Sequence, residues 1–167
     1  MGYEVAVSKA WAGLEGVAQE KNYSIKFLGD EYAVDLPKRS IFSTSCNVPA
    51  KTQFVVLILH YLTQKIKGLP RVKGEWISFK ELDGGQAYYS VFKKRVLERI
   101  AKKYEKIQSD DSEKVLDVFE GVPILVRFWK GDDEFGPEAN VLFDKSIPDI
   151  FCTEDIVVLA ECIAGLL

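Results

Sequence analysis

Residues 23–36, YSIKFLGDEYAVDL, most narrow what this chain can become. Apolar and polar side chains alternate on both sides of Gly29-Asp30, the pattern of two antiparallel strands joined by a tight turn. Pro37 ends the second strand because it cannot donate to a ladder. Ser40 to Thr44 adds a third short strand. Before the hairpin, Val7, Trp11, Leu14 and Val17/Ala18 recur at spacings of three and four between Tyr3 and Lys21, which predicts an amphipathic helix. After it, Asn47 and Pro49 signal a helix from about Ala50 to Lys67, stopped by Gly68 and Pro70.

The next stretch, Lys73 to Phe92, is unusually rich in rings: Trp76, Phe79, Tyr88, Tyr89 and Phe92. Large aromatic side chains gain most from burial, and Trp and Tyr also need a polar partner, so this is no ordinary solvated connection. Ser78-Phe-Lys-Glu81 fits a capping box for one helical turn, and Gly84-Gly85 releases the chain into a helix from about Gln86 to Lys106. Tyr88, Phe92, Val96, Ile100 and Tyr104 form its expected buried stripe. The opposite face carries Lys93, Lys94, Arg95, Arg99, Lys102, Lys103 and Lys106, a charge pattern usual for solvated helix surface.

Asp110, Asp111 or Ser112 is expected to cap a short helix to Phe119. Ile124 to Trp129 and Val141 to Phe143 then read as a second hairpin, and Thr153 as the cap of a last helix with Ile156, Leu159, Ala160 and Ile163 inward. Hairpins separated by helices, without a repeating strand–helix–strand unit, indicate an α+β fold: an antiparallel sheet packed with four to five helices. With 167 residues and 47% hydrophobic content, residues 1–167 are expected to form a single globular domain.

A net charge of −3 and a pI near 5.3 argue against nucleic-acid binding. The longest apolar run, Phe54 to Leu62, is about half the roughly 18 residues a membrane span needs. With no basic segment leading an apolar run at the start, the expected location is the cytoplasm. Cys46, Cys152 and Cys162 lie far apart without a C-x-x-C, so no self-contained iron–sulfur or zinc site is expected.

Two constellations carry candidate chemistry. Trp76, Phe79, Lys80, Glu81, Tyr88, Arg127, Trp129, Phe135 and Asn140 would line an apolar pocket with a few orienting polar groups, the alternative being an aromatic core. Asp132, Asp133, Glu134, Glu138 and Asp144 crowd one strand–turn–strand with Arg127 or Lys130 to balance them; the first four would supply oxygen ligands for a divalent cation, with His60 or Glu81 as a base, and the blander reading is a solvated acidic turn with one structural salt bridge. His60, the only histidine, sits in an apolar helix and reads first as a core residue. No relay of Ser, His and Asp, or of Cys and His, can be assembled from the spacing alone.

GEWISFKELDGG, DDEFGPEANVLFD and TEDIVVLAE, in that order, resemble an uncharacterised domain-of-unknown-function family of bacteria and archaea common in anaerobes. The resemblance covers about Phe54 to Leu159. Some relatives look like fusions to a cysteine-rich iron–sulfur module, which implies anaerobic redox or one-carbon metabolism. This chain lacks that module, so any cluster would belong to an iron–sulfur partner. The resulting expectation is a ligand-, cofactor- or partner-binding accessory domain; the alternatives are a metal-assisted enzyme built on the acidic turn and an adaptor that docks through the basic helix.

Overall fold

The computed structural model describes residues 2–107 and 110–167. Two four-stranded antiparallel sheets and the surrounding helices make an α+β fold, as the hairpin signals predict. The chain divides into two compact units: Met1–Arg71 with Val118–Gly121, and Val72–Asp117 with Val122–Leu167.

In the first unit, helix α1 (Gly2–Glu15) precedes strands β1 (Asn22–Phe27), β2 (Asp30–Asp35), β3 (Ser40–Ser43) and β4 (Val48–Pro49), paired in that order. The predicted hairpin is in register, with Phe27 opposite Asp30 and Ile25 opposite Tyr32. Asn47 and Pro49 do not start the next helix. Asn47 turns the chain at φ 53° and Pro49 pairs with Phe42, so α2 begins later, at Thr52–Gly68. The middle of α2 is buried on nearly all sides, at Val56, Leu57, Ile58, Leu59, Tyr61 and Leu62. Phe119 stacks between Tyr61 at 4.2 Å and Phe27 at 4.4 Å, and the Tyr61 hydroxyl donates to the Glu120 carbonyl at 2.6 Å.

The second unit holds β5 (Trp76–Ser78), α3 (Gly85–Phe92), α4 (Glu98–Ile107), β6 (Ser112–Phe119), β7 (Val122–Trp129), β8 (Glu138–Asp144) and α5 (Thr153–Leu166), with sheet order β5-β8-β7-β6. The last two residues of β6, Val118 and Phe119, belong to the first unit. The expected helix from Asp110, Asp111 or Ser112 to Phe119 is therefore a strand. Val115, Leu116, Val118 and Phe119 suit either period, and β6 takes its place beside β7, where its β-branched residues fit a pleated surface.

The helix expected over Gln86–Lys106 is one rod with a π-helical turn at Lys93–Leu97 between α3 and α4. Its apolar residues recur every four positions, which on a regular helix drifts about 40° per step. Widening one turn absorbs part of that drift, so Phe92, Val96, Ile100 and Tyr104 are all buried. Tyr88 falls outside the stripe and is 55% exposed. Phe79 stacks on Phe92 at 4.1 Å, and a Cβ on Gly85 would lie 2.0 Å from the Phe79 carbonyl oxygen. Glycine at 85 therefore lets the single turn after β5 pack directly against the start of α3.

Thr153 does not cap α5. Cys152 is the cap residue, without a side-chain cap bond, and the Thr153 hydroxyl donates to the Asp83 carbonyl at 2.8 Å. At the other end of α5, Lys103 donates to the Ala164 and Gly165 carbonyls at 2.6 and 3.0 Å, placing a cation where the helix dipole favours one.

Candidate functional site

The β7–β8 connection assembles most of the predicted polar and aromatic residues. Directly opposed residues of an antiparallel pair share a face, and the register sets Trp129 opposite Glu138 and Arg127 opposite Asn140. Arg127 is tied to Glu113 at 2.7 Å, and Asn140 accepts from the Val141 N–H at 3.0 Å. Past the strand ends the turn is locked by its own backbone. The Asp132 N–H donates to the Phe135 carbonyl at 2.7 Å, while Asp132 Oδ1 accepts from the N–H groups of Glu134 and Phe135 at 2.9 and 2.8 Å. Gly131 has φ 79°, and a Cβ there would lie 2.4 Å from the Phe135 oxygen, so only glycine fits. Asp111 Oδ1 accepts from the Lys130 N–H at 2.9 Å, fixing the approach to the turn.

The result is an open cleft of about 590 Å³ lined by Asp111, Trp129, Lys130, Asp132, Phe135 and Glu138. Trp129 is 42% and Phe135 66% exposed. The Phe135 and Glu134 amides hold the Asp132 carboxyl below its ordinary value, against a small opposing effect of burial. Asp133 and Glu134 are exposed on the same turn. Among the described residues, no three His, Cys, Asp or Glu side chains converge as a metal site would require.

The other pocket residues lie elsewhere. Trp76 pairs with Asp144 on β8, whereas Trp129 pairs with Glu138, six residues away. At about 3.3 Å per residue this separates the indoles by roughly 20 Å along the strand, so they do not share one small cavity. Phe79 is core. Lys80 sits over the Tyr89 ring at 4.2 Å, and Glu81 completes the predicted capping box by accepting from the Ser78 N–H at 2.6 Å. Tyr88 lines a separate cleft of about 330 Å³ with Val91, Arg95, Glu154 and Val157. Glu81 lines a third, with Asp83, Pro148 and Cys152, of about 340 Å³. Desolvation of its sulfur, reinforced by the Asp155 and Glu154 carboxyls, pushes the Cys152 thiol up to about 11, although the residue as a whole is exposed. A thiol so raised is a poor nucleophile at neutral pH. His60 is half-buried in α2, within the first unit.

Sequence reasoning counts Asp144 only among the crowded acids and does not find it as an organising residue. Asp144 is 2% exposed, and its carboxylate accepts from the N–H groups of Lys73, Gly74 and Ser146 at 3.0, 2.8 and 2.9 Å, and from the Ser146 hydroxyl. Burial alone would raise its pKa, but these bonds outweigh burial and bring it below the ordinary value. The Asp-x-Ser spacing was an available local signal, since Asp side chains often bond the N–H two residues on. The contribution of Lys73 and Gly74 had none. Asp111 was not placed in the cleft beforehand, and Lys130 entered only as a counter-charge to the acidic turn.

The description "Domain of unknown function (DUF3786)" matches residues 7–111 and 103–165. No curated protein and no solved structure matches the chain. The two matched stretches span nearly its whole length, and the chain belongs to the family described as a domain of unknown function, DUF3786.

Proposed function

We propose that this protein is a binding or accessory domain whose working surface is the β7–β8 cleft. The observation that carries this reading is the pair of large rings at the solvent, Trp129 at the end of β7 and Phe135 on a turn whose conformation Gly131 and Asp132 enforce. An exposed ring on a floppy loop is unremarkable; rings fixed in a concave site beside a few polar groups fit a preformed binding site, because little ordering entropy remains to be lost on binding. The setting we propose, following the sequence resemblance, is the cytoplasm of an anaerobe, in redox or one-carbon metabolism beside an iron–sulfur protein.

The test is retention of whatever co-purifies. The native protein and the Trp129→Ala/Phe135→Ala double variant are isolated anaerobically and compared by native mass spectrometry, with Trp76→Phe as control. Loss of a bound species in the double variant alone supports the cleft. A folded double variant that keeps the same bound species, while Trp76→Phe loses it, removes the cleft as the working surface.

A further inference from the structure

We infer that the β7–β8 cleft receives an organic cation, an ammonium or guanidinium group seated against Trp129 and Phe135. This rests on the reading of the cleft as a binding surface and names the chemistry of its occupant. Three of the lining side chains are carboxylates, Asp111, Asp132 and Glu138, against one cation, Lys130. An anion entering the cleft would meet uncompensated like charge, and a neutral ring would gain ring contacts while leaving the carboxylates without a counter-charge. A cation gains from both, because the face of an aromatic ring attracts positive charge within about 6 Å and the effect is largest for indole.

The arrangement of the groups strengthens the argument. Glu138 is the cross-strand partner of Trp129, which sets a carboxylate beside the indole on one face of the sheet. Asp111 and Asp132 each give one oxygen to backbone N–H groups, which fixes both carboxylates, and no donor among the described residues meets their second oxygens. The bonds to Asp132 hold its carboxyl below its ordinary value. Lys130 is the one cation among the residues that line the cleft. Arg127, on the same face, is tied to Glu113, and among the described residues the ammonium-over-ring contacts are Lys51 on Phe54 and Lys80 on Tyr89, not at either cleft ring.

The same chemistry is presented by a free small molecule and by an arginine or lysine side chain of a partner. A titration of the full chain, followed through the backbone amide NMR signals of residues 129–136 and Glu138, separates these cases. The probes are choline, its uncharged isostere 3,3-dimethylbutan-1-ol, butylguanidinium, and the peptide Gly-Arg-Gly amide. We expect saturable shifts with at least one small cation, about threefold to tenfold tighter than with the isostere. These should weaken with salt and in Glu138→Gln, a surface substitution that preserves shape. Tighter binding of the peptide than of butylguanidinium assigns the cation to a partner's side chain, and the reverse assigns it to a free molecule. If the isostere binds as tightly as both small cations, the cation assignment fails while the cleft reading stands. If no probe moves these amides, both fail.

Discussion

Replacing Asp144 with asparagine keeps the shape of the side chain while exchanging one carboxylate oxygen for an amide nitrogen, at a site where four donors converge on two oxygens. In the better orientation, the remaining carbonyl oxygen faces the Lys73 N–H and both Ser146 donors, and the new amide group opposes the Gly74 N–H. One bond is then replaced by a clash of donors, and the others lose their charge. A buried unsatisfied donor costs about 1–3 kcal/mol and a bond to a charged group contributes about 1.5–3, against about 1 for a neutral one, so the loss should be roughly 3 kcal/mol. Ser146→Ala removes one donor and should cost about 1.5–3 kcal/mol. The two changes share one network, so their double-mutant cycle should be strongly non-additive. Urea unfolding followed by circular dichroism measures all three. The acid limb adds a second check. Because the folded pKa lies below the ordinary value of about 3.9, the stabilisation is complete above that pH and is lost as pH falls through the folded pKa. Asp144→Asn should remove that share of the acid-induced decline. A loss below about 1 kcal/mol with an unchanged denaturant slope and an unchanged acid limb would show that water satisfies these donors as well as the carboxylate does.

Further expectations concern packing, pH and the basic helix. Gly84 has φ 72° with room for a Cβ, so Gly84→Ala should cost about 1–2 kcal/mol, whereas Gly85→Ala forces backbone apart and should cost more than about 3 in thermal or urea unfolding. Phe119→Ala, which empties the stack between Tyr61 and Phe27, should cost about 3–5 kcal/mol by the same measurement. Burial, aided by the Glu120 charge, pushes the Tyr61 hydroxyl up to about 12, so stability should fall as pH rises from about 10 to 12, and Tyr61→Phe should make that fall shallower in alkaline unfolding. Lys94→Glu and Lys102→Glu should each change stability by no more than about 0.5 kcal/mol, while Lys103→Ala, which uncaps α5, should cost about 1. Equal effects at the three lysines would refute the capping role.

What the sequence determined by itself is local. The alternation around Gly29-Asp30 specifies β1–β2, the three- and four-residue spacings specify α1 and α5, Gly68 with Pro70 marks the end of α2, and Ser78 with Glu81 specifies its capping box, because each signal links residues a few positions apart. The acidic turn was also legible, down to Asp132 and Glu138. Tertiary structure decided the rest. Ser112–Phe119 carries a helix-start signal and an apolar pattern that fits either period, and only its place beside β7 makes it a strand. The rings of Trp76 and Trp129 look equivalent in sequence, yet the register of β8 puts them at opposite ends of one strand, because each residue advances the chain by about 3.3 Å and nothing local records which residues pair. Asp144 gathers donors from 70 residues upstream for the same reason. A hydrogen-bond donor is present at nearly every residue, so only the fold selects which of them a buried carboxylate will meet.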